Sequence, residues 1–347
     1  MKSSPRKAAP KAVPKRTPDP PTVGRSLAIF PYQIGDGTTQ SMLSGFINCR
    51  VGCRMGLEGW HQPRTKDAIN YGSLYHALLE HFFRGVMNGK LTRKDAEAFF
   101  VEHTEAWLAK QRQESNSSNA IQSSEICVAQ AYATWEPYLD AWPDDFEPGR
   151  WVELEGVFAV DFRGYTLRGR KDGLQRCGDK RKYYRLMENK TKSQIDEGSI
   201  DLRLTFDFQN LFYLTAQNIE LRERGENETA RIVCYNIIRR PGQRFNPEKE
   251  SLDDYSARVR AAIEKDPGHF FTRSEVTYTA KDFERFEKEL ELKLHLFERW
   301  LLGKEETFKN ETACVSKWNC SYLQACSAGG DMTGYVQTGR LFTELEE

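Results

Sequence analysis

Gly169-Arg170-Lys171-Asp172-Gly173-Leu174, followed by Leu186-Met187-Glu188-Asn189-Lys190, is the stretch whose reading decides the fold. Between the two halves runs the turn-forming segment Cys177-Gly178-Asp179-Lys180-Arg181, with Lys180 midway between Asp172 and Glu188. A β-hairpin closing there sets the two carboxylates opposite each other. Strand side chains alternate, so Glu188 and Lys190 share a face while Asn189 points away. Two carboxylates beside an ammonium suit phosphodiester hydrolysis: oxygen ligands hold Mg²⁺ or Mn²⁺, and a fixed cation orients water or offsets developing charge. Acids and lysines are common in exposed hairpins, so the rest of the chain must decide between a site and a solvated turn.

Working outward, Val152, Leu154, Phe158, Val160 and Phe162 alternate with mainly polar residues and predict a half-buried strand from Trp151. Arg163-Gly164 turns it back toward Asp172, giving a meander of three strands. Glu155, on the first strand, reads as a surface residue ahead of a supporting carboxylate. Downstream, Asp207–Ala216 predicts an amphipathic helix that Gly225 can end; Gln209 and Tyr213, four apart, share one face. Residues 230–238 predict a strand stopped by Pro241-Gly242, and strand–helix–strand order permits a parallel crossover. Upstream, Leu74, Leu78, Leu79, Phe82 and Phe83 mark a helix from Tyr71, with His76 beside the apolar stripe; a lone histidine there is more often packing than a ligand. Residues 41–49 form a short helix presenting Cys49. Residues 93–113, 122–142 and 281–302 predict three more helices, the last burying Phe283, Phe286, Leu290, Leu294 and Phe297. Arg168, Arg170, Lys171 and Lys192 are placed to line a phosphate track.

The 347 residues are enough for a substantial core. Lysine plus arginine balances aspartate plus glutamate at 50 each, but residues 1–27 carry seven cations against Asp19 among Pro, Ala and Ser, and are expected to be a disordered basic tail. Residues 28–150 are then expected to form an N-terminal helical part, 151–250 a core sheet with its helix, and 251–347 a C-terminal helical part. No run is long and apolar enough to span a membrane, and the N-terminus lacks a signal-peptide core, so a cytoplasmic protein is expected. Eight cysteines in such a chain do not suggest a disulfide scaffold. Cys49 and Cys53 lie early; Cys314, Cys320 and Cys326, each pair separated by five residues, lie late. That spacing is not the C-x2-C pair of a common zinc finger, although a zinc site and unliganded cysteines remain the alternatives.

In order, then, stand a helix with His76, a strand pair with Asp172 and Glu188-Asn189-Lys190, and a helix with Gln209 and Tyr213, flanked by cysteines. The series resembles the PD-(D/E)xK nuclease superfamily, and within it the RecB-like exonucleases, including CRISPR-associated and AddB-type members with an iron–sulfur cluster. Lys171 and Arg50 stand where many members carry proline. The resemblance implies an α/β restriction-endonuclease-like core, a mixed central sheet flanked by helices, with a helical iron–sulfur subdomain. It implies a Mg²⁺- or Mn²⁺-dependent exonuclease acting on DNA that is single-stranded or has free ends, in recombination, repair or phage DNA metabolism. His76, Asp172 and Glu188, with the Asn189 carbonyl, would hold the metal; Lys190 would be the catalytic lysine; Gln209 and Tyr213 would position the site and the strand. Cys49, Cys314, Cys320 and Cys326 would hold a [4Fe–4S] cluster, with Cys53 competing for the first position. A non-catalytic nucleic-acid-binding protein and an endonuclease of the same fold are the rival expectations.

Overall fold

The meander forms one side of the central sheet. The computed structural model describes residues 32–62, 71–114, 117–178, 183–192, 204–315, 320–338, 342 and 345. The basic tail and the expected hairpin tip at Asp179–Arg181 lie outside the described residues. Along the chain come β1 (Thr38–Thr39), α1 (Gln40–Asn48), α2 (Arg50–Leu57), β2 (Trp60–His61), α3 (Tyr71–Met87), α4 (Ala96–Glu114) and α5 (Ser118–Ala141). The meander is β3 (Trp151–Phe162), β4 (Tyr165–Cys177) and β5 (Tyr183–Lys192). There follow α6 (Phe208–Glu223), β6 (Ile232–Arg239), α7 (Leu252–Lys265), β7 (Phe271–Thr277), α8 (Ala280–Leu301) and, near the end, β8 (Val336–Gln337).

Six strands form one mixed sheet in which β3, β4, β5, β6 and β7 are successive neighbours. The short β1 runs parallel to the first half of β4 through Thr38 and Leu167. Arg163 and Gly164, at φ 53° and 87°, form the tight turn between β3 and β4, as the primed hairpin turns require. β4 and β5 are antiparallel, pairing Gly173 with Met187. β5 and β6 are parallel, joined through α6 by the expected crossover. The resulting α/β architecture, a central mixed sheet flanked by helices, is restriction-endonuclease-like.

Two apolar layers cover the sheet. On one side Phe158, Val160, Leu174 and Leu186 pack against α1, α6 and α8 through Phe46, Phe212, Leu290 and Trp300. On the other, Trp151, Leu154 and Met187 pack against α3, α5 and α7 through Leu78, Phe82, Trp135 and Val259. β3 therefore does not bury one face along its length, as its alternation predicts. Leu154 belongs to the α3 layer and Phe158 to the α6 layer, and Val152 is exposed.

Among the elements unread in the sequence are α7 and β7. In α7 only Tyr255, Ser256, Val259 and Ile263 are buried among charged neighbours, a stripe too narrow to stand out. A capping box between Ser251 and Asp254 starts it. β7 buries only Phe271 and Val276, yet it pairs antiparallel with β6 along seven registers from Ile232–Thr277 to Ile238–Phe271. Among the described residues no helix is long and apolar enough to cross a membrane.

Candidate active site

The site forms where the β3–β4 hairpin changes faces. In β4, Lys171 lies on the α6 side, bonded to Gln217, whereas a side chain at Gly173 would meet Trp151 and Leu154 of the α3 layer. In β3, Glu153 reaches the Lys171 ammonium on the α6 side while Leu154 packs in the α3 layer. Between the paired positions Leu154–Gly173 and Gly156–Lys171, Glu155 faces Asp172. Glu155 adopts φ 47°, a left-handed conformation rare for any residue but glycine, asparagine or aspartate.

This irregularity brings Glu155 and Asp172 to α3. One ligand atom each from His76, Glu155 and Asp172 lies within 4.8 Å of the other two. α3 is fixed to β3 beside them by Arg84, which holds Glu80 at 2.7 Å and donates to the Leu154 carbonyl at 3.3 Å. On β5 the backbone N–H of Asn189 donates to Asp172 Oδ2 at 2.6 Å, so the two carboxylate strands are joined at the site itself. The Asn189 main chain is also hydrogen-bonded to the His76 ring. Its side-chain oxygen accepts from Asn236 of β6 at 2.7 Å, and Asn236 donates in turn to the Tyr138 hydroxyl. Asn189 is thereby held from both sides.

Glu188 is 6% exposed and has two partners on its Oε1: the Lys190 ammonium, and Gln209 Nε2 at 3.0 Å. Gln209 sits in the first turn of α6, whose N-cap Asp207 accepts from the Gln209 N–H and from the Tyr235 hydroxyl, each at 2.9 Å. Tyr213, one turn further on, is half-buried with its ring edge-to-face on Phe158 at 5.6 Å and against Gly169. Of the expected site residues, His76, Asp172, Glu188, Asn189, Lys190 and Gln209 therefore converge. Tyr213 lies on the same helix against the hairpin.

The electrostatics are those of a site short of positive charge. Burial, then the neighbouring Asp172, pushes the Glu155 carboxyl up to about 8. Burial, then Asp172, also raises Glu188, and burial raises Asp172 against the opposing pull of the Asn189 N–H and Lys190. Burial lowers His76, partly opposed by Glu188. Burial works against the Lys190 charge, but Glu188, Asp172 and Asp207 outweigh it and hold the lysine above its ordinary range. Neutral imidazole and carboxylate oxygens are a donor set suited to a hard divalent ion, and a bound cation would relieve the repulsion that raises these acids.

Two expectations are corrected. Lys171 does not line a phosphate track: it is 1% exposed and its ammonium is held by Glu153 at 2.9 Å, Gln217 at 2.7 Å and Glu220 at 2.6 Å. Glu155 is not a surface residue. Its side chain is 12% exposed, paired with Arg170 at 2.9 Å. A period-two count places neither residue, because the face switch between Lys171 and Leu174 leaves no mark in residue type.

The cysteines are all free. Cys49 is buried at the junction of α1 and α2. It lines a cavity of about 370 Å³ together with Cys53, Cys320 and Tyr322. Burial raises the Cys326 thiol, opposed by Lys309 and reinforced by Cys320, Cys314 and Cys49. The Cys53 thiol, on the same cavity wall, also reaches the Met42 carbonyl at 3.7 Å. The early and late segments are stitched together by Asn310 to the Asn48 carbonyl at 2.7 Å, Tyr322 to the Trp60 carbonyl at 2.7 Å, and the β2–β8 pair.

A comparison with curated proteins finds no match. Across residues 38–327, however, the chain matches the model of the PD-(D/E)XK nuclease superfamily. Nucleases of this superfamily use divalent metals and act on nucleic acid. That span takes in every strand of the central sheet and each residue of the convergent site, and on it rests the conclusion that this chain belongs to the PD-(D/E)XK nuclease superfamily.

Proposed function

We propose that this nuclease is a Mg²⁺- or Mn²⁺-dependent deoxyribonuclease of the RecB-like kind, degrading DNA from free ends. The observation that carries the reading is the meeting of His76 and Asp172 with Glu155, beside Glu188, whose carboxylate is shared by Lys190 and Gln209. His76, Asp172, Glu188 and the Asn189 carbonyl hold the metal. When bound, a divalent ion polarises the phosphoryl oxygen and makes water a nucleophile near neutral pH. Lys190, held as the ammonium, would orient the attacking water and offset the charge developing on the phosphoryl group. Gln209 keeps the Glu188 carboxylate aligned, and Tyr213 borders the path of the strand. Residues 1–27, rich in cations, add salt-sensitive affinity for the phosphate backbone.

Cys49, Cys314, Cys320 and Cys326 hold a [4Fe–4S] cluster in this reading. Its support is the cavity lined by Cys49 and Cys320 and the fastening of the early segment to the late one that carries Cys314, Cys320 and Cys326. Four thiolates match the usual ligand set, and free cysteines suit a reducing, intracellular compartment. The cluster's work is structural, clamping the chain's early and late segments beside the nuclease core.

End dependence is tested with linear and covalently closed DNA, each single- and double-stranded, incubated with Mn²⁺. The expected result is loss of the linear forms with closed circles intact. Cutting of circles at a similar rate would make the protein an endonuclease of the same fold.

A further inference from the structure

The proposed function uses His76, Asp172 and Glu188 as side-chain ligands, yet the imidazole–carboxylate group that closes most tightly is His76, Glu155 and Asp172. Glu188 has its Oε1 engaged by both Lys190 and Gln209. Glu155 instead presents its carboxylate to His76 from the far side of the hairpin.

Several features set Glu155 apart from an ordinary strand glutamate. It is the non-glycine residue with positive φ inside a strand among the described residues, and such a backbone costs on the order of 1–3 kcal/mol. It interrupts the β3–β4 ladder at the position facing Asp172. The interruption turns its carboxylate inward beside another carboxylate, with Glu80 of α3 and Glu188 also within electrostatic reach. An ion pair with Arg170, made at 2.9 Å through Oε2, needs none of this. Arg170 is half-exposed, and a regular strand could offer it a glutamate at the surface. Crowding acids in a recess beside a histidine is unfavourable unless a cation is shared among them. A carboxylate has two oxygens and can keep Arg170 on one while offering the other.

We propose that Glu155 is a further protein ligand of the catalytic metal, binding the divalent ion jointly with His76 and Asp172, with Arg170 as the latch that aims its carboxylate. The assignment rests on the nuclease reading above and adds to it a ligand from the first strand of the meander. The metal is then gripped from α3, β3, β4 and β5 together, and the left-handed turn at Glu155 is retained because it delivers that ligand.

The test is Mn²⁺ binding, measured by calorimetry and by the electron paramagnetic resonance signal of free Mn²⁺, on metal-free wild type, Glu155→Gln, Glu155→Ala and Asp172→Asn. Both Glu155 variants should bind at least about tenfold more weakly, as should Asp172→Asn. Thermal unfolding supplies a second readout. In chelator, Glu155→Gln should be at least as stable as wild type, because the cost of burying an ionisable acid is gone, and it should lose most of the Mn²⁺-induced rise in Tm. Wild-type Mn²⁺ affinity in both Glu155 variants, with binding lost only in Asp172→Asn, would overturn the assignment and leave the nuclease reading standing. A Glu155→Gln protein destabilised in chelator with an unchanged Mn²⁺-induced rise would mark Glu155 as a structural partner of Arg170. Unchanged binding in Asp172→Asn as well would remove the nuclease reading itself.

Discussion

Lys171 carries the sharpest stability argument of any single residue. Its ammonium lies within 2.9 Å of carboxylate oxygens from Glu153 and Glu220 and is sealed beneath Phe158. Lys171→Met would leave two carboxylates facing each other with no cation between them, and breaking a buried pair from one side costs about 3–5 kcal/mol. The urea midpoint should fall accordingly, with the slope unchanged. A loss below about 1 kcal/mol would mean that solvent screens the cluster as it does a surface pair. In the sequence Lys171 adjoins Asp172 and invites a phosphate-facing role. Asp172, Glu188 and Lys190 are legible because their chemistry is specific and their hairpin register is simple. Lys171 and Glu155 are not, because where they point depends on a paired irregularity of two strands, and residue type does not encode it. His76 lies between these cases: its helix is legible, but the histidine gains meaning only once Asp172 and the Asn189 main chain are seen beside it.

At the scale of elements, strong periodicity was readable and weak periodicity was not. α3, α6 and α8 each bury a wide stripe, and the parallel crossover from β5 to β6 follows from their order. α7 and β7 escape because few of their residues are buried; the layers around them supply most of their stability. α2 escapes for another reason. Its eight residues include two glycines among Arg50–Leu57, and glycine weakens an isolated helix by roughly 1 kcal/mol. Its first turn nonetheless places Cys49 and Cys53 on one cavity wall with Cys320. The α1–α2 junction and the short helix Leu323–Ser327 are the elements a cluster would join. Protein purified without oxygen should be brown, with iron and sulfide in roughly equal amounts, and Cys320→Ser should lower both iron content and Tm. A colourless protein containing zinc would contradict the cluster.

For the whole molecule, the sheet is a plate held between two helical layers, and the site occupies the place where β3 and β4 pass from one layer to the other. α3 approaches this place from one side and the N-terminus of α6 from the other, which is why His76, beside Glu155 and Asp172, and Gln209, bonded to Glu188, come to one site although distant in sequence. The segments 48–60 and 306–338 fasten to each other at a separate location. Packing and chemistry are therefore divided: the layers set the sheet, and the break at Glu155 sets the site. The account stands on the claim that this break is a metal-dependent nuclease centre. The most direct measurement is hydrolysis of linear DNA by wild type and Asp172→Asn, each purified metal-free and assayed with and without added Mn²⁺. Wild type should cut only when Mn²⁺ is present, and Asp172→Asn should be slower by at least about a hundredfold at unchanged thermal stability in chelator or above it. Equal rates for the two proteins, or full wild-type activity in chelator, would contradict it.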